Sequence, residues 1–178
     1  MKSRLCCLAS IIVIFLSIPG RASSADLGTQ TRIEHVCSET SDYKLCQAVL
    51  GKNLYTSIAD FDALTQICLS NILMYISDTL TFIKDAERNE TNTRQREILA
   101  DCDEGYGSML TQFENAAFKF AKGDYKSMLS EIVDIKRYVT QCETALGNKL
   151  SELQKRNVDA KVFIEMFNAS GKLIGHQF

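Results

Sequence analysis

From Phe61 onward, apolar side chains recur at helical spacing. The first series, Phe61, Leu64, Cys68, Ile72, Ile76, Leu80 and Ile83, advances 22 residues in six steps. A second runs through Leu99, Cys102, Tyr106, Met109, Phe113, Ala117 and Phe120, a third through Met128, Ile132, Ile135, Val139, Cys142 and Leu146. The fourth is Val158, Val162, Met166, Ala169 and Leu173. Each repeats every three to four residues, and none alternates with the period of two that a half-buried strand needs. The pattern predicts an all-α chain of four amphipathic helices. An antiparallel up-down-up-down four-helix bundle is the simplest way to bury four stripes.

Polar segments mark the ends of these helices. Arg88 to Thr93 separates the first two, and Gly147 to Asn157 reads as a longer connection before the fourth. Lys122-Gly123-Asp124 reads as a tight turn, with Gly123 as a C-terminal cap and Asp124 as the next N-cap. Asp26 to Leu50 lies outside the four stripes and is expected to pack as a short N-terminal helical arm.

Composition changes the picture at the N-terminus. Lys2 and Arg4 precede an apolar run of 14 residues, Leu5 to Ile18, and then Pro19-Gly20-Arg21-Ala22. That order is expected of a secretory signal peptide over residues 1–22, leaving one domain over 23–178. The run falls short of the roughly 20 residues of a spanning helix, so no membrane is expected after cleavage. The remaining domain carries 17 basic and 22 acidic residues, a net charge of −5. A basic stripe for nucleic acid is absent. The sole proline, Pro19, goes with the leader, so no proline interrupts the predicted helices.

Five cysteines then remain: Cys37, Cys46, Cys68, Cys102 and Cys142. They allow 15 ways of forming two bridges with one thiol left over. In an antiparallel hairpin, residues equidistant from the turn face each other. Residue 122, in the predicted turn, is the midpoint of 102 and 142. This geometry pairs Cys102–Cys142, which leaves Cys37–Cys46 as the local pair and Cys68 as a buried free thiol.

No catalytic constellation is present. There is no nucleophile elbow, no H-E-x-x-H and no glycine-rich phosphate loop. His35 and His176 stand near opposite ends, and the acid pairs around Asp103 read as a solvated helix face. No metal or other cofactor is expected. Asn89-Glu90-Thr91 and Asn168-Ala169-Ser170 are glycosylation sequons in a secreted chain.

Four blocks in order resemble a known family. Cys37-Ser-Glu-Thr40-Ser-Asp-Tyr43-Lys-Leu45-Cys46 is similar to the C-x-x-T-x-x-Y-x-x-C opening of the plant invertase and pectin methylesterase inhibitors. Leu99-Ala-Asp-Cys102-Asp-Glu-Gly-Tyr106, Gly123-Asp124-Tyr125 and Cys142-Glu143 resemble that family's later blocks. The resemblance implies a four-helix bundle with an N-terminal arm and the same two disulfides. It also implies a secreted, non-enzymatic inhibitor of the plant cell wall (apoplast) or vacuole that covers an enzyme's active-site cleft. Invertase inhibitors carry a Pro-Lys-Phe turn where this chain has Tyr125-Lys126-Ser127, so only Lys126 carries over. Inhibitors of the methylesterase tend to carry Ser-Ala-Ala where this chain has Val133-Asp134-Ile135. Pectin methylesterase is the expected target and acid invertase the alternative. Expected contacts are Gln112, Asn115, Phe118, Lys119 and Lys126 on the second and third helices. A secreted signalling bundle or carrier is the more remote reading. Its long crossover connections do not suit a three-residue turn.

Overall fold

A computed structural model describes residues 25–147 and 150–175. Its elements are helices throughout: α1 (Leu27–Ser38), α2 (Tyr43–Lys52), α3 (Phe61–Asn89), α4 (Thr93–Ala121), α5 (Tyr125–Glu131), α6 (Lys136–Leu146) and α7 (Ser151–Gly175). Helices α3, α4, α5–α6 and α7 form the antiparallel bundle, and α1 with α2 forms a hairpin arm packed on α7 and α3. The expected leader and His176 lie outside the described residues.

Short acids and amides begin most of these helices, where the first backbone N–H groups have no intrahelical partner. Asp26, Asp42, Asp60, Asn92 and Asp124 each accept a hydrogen bond from the N–H three residues on, at 2.7–3.2 Å. Gly123 closes α4 with a φ of 70°, a left-handed conformation that suits glycine. Around it the Gly123 N–H donates to Phe120 O at 2.9 Å and the Asp124 N–H to Lys119 O at 3.0 Å, the Schellman arrangement.

The core runs along the bundle axis. Tyr106, Phe113 and Phe167 are its largest fully buried side chains, with the two phenylalanine rings edge-on at 5.4 Å. Both disulfides are present as expected, Cys37–Cys46 joining α1 to α2 and Cys102–Cys142 joining α4 to α6. Beside the second, buried Asn157 accepts from the Tyr106 hydroxyl at 2.7 Å and directs its amide at Cys142 Sγ, 3.5 Å away. These bonds meet the polar needs of two side chains that burial would otherwise penalise.

Three expectations need correction. The third stripe is carried by two helices rather than one. Between Ile132 and Ile135 the backbone tightens to bonds three residues apart, including Ile135 N–H to Ile132 O at 3.2 Å. The core side chains stay buried while Val133 is pushed out, 75% exposed. The connection before the last helix is also shorter than Gly147 to Asn157, because α7 starts at Ser151. Its buried side therefore begins at Leu153 and Asn157, and Val158 is 56% exposed. On α4, Ala116 rather than Ala117 is the fully buried alanine.

Candidate functional site

Successive residues of an α-helix turn by about 100°, so the five expected contacts do not share one face. Gln112, Asn115 and Lys119 fall within about 60° of one another on α4, and Gln112 bonds to Tyr138 of α6. Phe118 stands roughly 120° round from Gln112, toward α3. Its ring is 56% exposed and is covered on one side by Lys122 Nζ, 3.9 Å from the centroid. Lys126 sits in the first turn of α5 and is exposed.

Between α4 and α6 the side chains are organised about Tyr138. Gln112 Nε2 donates to the Tyr138 oxygen at 3.1 Å, and Arg137 Nη2 donates to the same atom at 3.0 Å. The Arg137 guanidinium also lies 4.8 Å from the ring centroid. The hydrogen bond from Arg137 holds the phenol pKa below its ordinary value. A small groove of about 80 Å³ runs beside it, lined by Asp101, Glu104, Gly105, Ser108, Tyr138 and Gln141. Tyr138 and Arg137 escape a sequence reading because they sit just off the Ile135–Val139 stripe and look like ordinary surface. Their pairing with Gln112 depends on the register between α4 and α6.

The first turn of α5 is held against α3. The Tyr125 hydroxyl donates to Asp62 Oδ1 at 2.7 Å, and that hydrogen bond raises the phenol pKa. The ring packs 6.0 Å from Phe120. Thus the side chain at the first position of this turn faces the body of the protein, and Lys126 alone projects.

A third cluster joins the arm to the bundle. Glu165 Oε2 accepts from the Ser41 N–H at 2.8 Å and the Ser41 hydroxyl at 2.6 Å, while Oε1 accepts from Lys136 Nζ at 2.7 Å. Burial works to raise the Glu165 pKa, but the bonds from Lys136 and Ser41 outweigh it and leave the pKa lowered. The adjoining cleft, about 410 Å³, is also lined by His35, Glu39, Asn168 and Lys172. His35 packs edge-on against Phe61 at 6.4 Å.

Cys68 is fully buried in α3, and burial pushes its thiol pKa up to about 12. The two sequons differ in setting. Asn89 is the exposed last residue of α3, whereas Asn168 is half-buried within α7 and its Ser170 is wholly buried with the hydroxyl bonded to Phe167 O. Among the described residues no three His, Cys, Asp or Glu side chains gather to hold a metal.

A family model described as plant invertase/pectin methylesterase inhibitor matches residues 31–173. A crystal structure of mutant form A of a pectin methylesterase inhibitor from Arabidopsis is similar at a TM-score of 0.72 and 16% identity. The match covers 80% of this chain and 96% of that one. A second, of a pectin methylesterase inhibitor from Arabidopsis thaliana, gives a TM-score of 0.62 and 15% identity, covering 80% and 95%. At these identities the structural likeness shows a shared fold. No curated protein matches the chain.

Proposed function

The chain belongs to the plant invertase/pectin methylesterase inhibitor family, whose members are inhibitors rather than enzymes, and from that premise we propose that its target is a pectin methylesterase. The observation that carries this choice is the first turn of α5, held against α3 at Tyr125. Invertase inhibitors resemble one another in a Pro-Lys-Phe turn, and here Tyr125 is bonded inward to Asp62 while Ser127 replaces the phenylalanine. In this reading the inhibitor covers the enzyme's cleft with the flank of α4 and α6. Gln112, Asn115, Lys119, Arg137 and Tyr138 make the contacts, and Lys126 stands at the edge. A tyrosine held by an arginine and a glutamine suits the centre of an interface, because its orientation is set before binding.

The protein would be secreted to the cell wall after loss of residues 1–22, with glycosylation favoured at Asn89. Asn168 remains a second acceptor only for a chain not yet folded there. The test compares Tyr138→Ala, Gln112→Ala and Lys126→Ala in methylesterase and invertase assays, with melting temperatures measured alongside. Tyr138→Ala should weaken methylesterase inhibition by about 2 kcal/mol, roughly thirtyfold, as a central aromatic does. Lys126→Ala should change it only a few-fold, as expected of a rim charge. If Lys126→Ala alone abolishes inhibition, and the enzyme inhibited is invertase, the proposal fails.

A further inference from the structure

The opposite flank of α4 carries a second unusual surface. From Leu64 to Ile83 the only charged side chain of α3 is Asp78, and from Gly105 to Phe118 the only one of α4 is Glu114. These stretches therefore contain no lysine or arginine. By length and composition alone α3 would be apolar enough to cross a membrane. Most of the apolar side chains of α3 are buried in the core or packed against it, but Met74 on α3 is 61% exposed and Phe118 on α4 56%. Between the two helices lies a groove of about 400 Å³, floored by Leu73, Met74 and Leu110 and edged by Ser77, Asp78 and Glu114. No lysine or arginine lines it; Lys84 is paired with Asp103 at 3.9 Å and Lys122 lies over the Phe118 ring.

We infer that this groove between α3 and α4 is a docking surface for a protein segment whose aliphatic or aromatic anchors are flanked by lysine or arginine. An exposed apolar strip with a polar edge is the form that interaction sites take. Charge selects the occupant. A second copy of the chain, docked face to face, would bring Asp78 and Glu114 against their own images. An anionic bilayer would meet the same two carboxylates. A segment with basic flanks places its cations against both and its anchors on Met74 and Leu110. The surface lies away from Gln112 and Tyr138, so the inference is independent of the proposed target.

The test uses the disulfide-bonded chain and follows the methyl resonances of Met74, Leu73 and Leu110. The probe is a synthetic amphipathic peptide of leucine, one tryptophan and lysine, and its control carries glutamate in place of lysine. The lysine peptide should give saturable shifts confined to these methyls and weakened by salt. The double variant Asp78→Lys/Glu114→Lys should lower its affinity about tenfold. Because both residues are exposed, the melting temperature should barely move. The inference is overturned if the lysine peptide produces no saturable shift or if the glutamate peptide binds equally well. It is also overturned if the same methyls respond instead to protein concentration alone or to phosphatidylserine vesicles.

Discussion

Glu165 shows how much one side chain can organise across distant parts of the chain. It joins the loop between α1 and α2 to α6 and α7 through three hydrogen bonds. Its pKa is held below the ordinary 4.5, so its ionised form is favoured in the folded state. A depressed carboxyl stabilises the fold above its unfolded pKa, and that stability is lost as pH falls through the folded value. Stability should therefore be level above about pH 5 and fall below 4.5, more steeply in the native chain than in Glu165→Gln. At neutral pH the substitution should cost about 1–3 kcal/mol, read from urea midpoints. A level profile across that range, or unchanged midpoints, would show that the clasp contributes nothing. Sequence reasoning had no access to this contact, because Ser41 and Glu165 are 124 residues apart and neither carries a local signal. The N-cap at Asp124 was legible because it acts within its own first turn.

Helices were read well where a turn signal and an apolar stripe agree, as at Gly123, where α4 ends. They were misread where one was missing. The break between α5 and α6 keeps the stripe of Met128, Ile132, Ile135 and Val139 buried, and α6 begins at Lys136 after Ile135, which offers no side-chain cap. Periodicity alone cannot report such a break. The early start of α7 was hidden because Asn157, a polar residue that looks like loop, is fully buried and bonded to Tyr106. The turn at Gly123 was legible, and it supports a sharp prediction. Gly123→Ala forces a β-carbon into a left-handed backbone with nothing nearby for it to contact. It should cost about 1 kcal/mol, from strain alone. Thermal unfolding will check this, and an unchanged or raised midpoint would refute it.

At the scale of the whole molecule, four packed helices with an arm followed from the stripes and turns, and so did the pairing of Cys102 with Cys142. The latter rested on antiparallel symmetry about residue 122, which the fold retains with the two Cα atoms 4.9 Å apart. The proposed binding face did not follow. Exposed positions on α4 look alike in sequence, and only the packing of α3 and α6 on either side separates Gln112 from Phe118. Cys142→Ser should destabilise the protein by roughly 2–5 kcal/mol, and it would also remove the sulfur partner of Asn157. Cys68 should resist alkylation until the chain unfolds, since it is fully buried. Rapid labelling of the native protein would contradict the packing of α3.

The claim that the folded chain blocks a pectin methylesterase is tested most directly by titrating it against that enzyme and, separately, against an acid invertase, with remaining activity as the readout. The account predicts that methylesterase activity falls in proportion to inhibitor added until near equimolar, while sucrose hydrolysis is unaffected. Loss of invertase activity with the methylesterase untouched would contradict it.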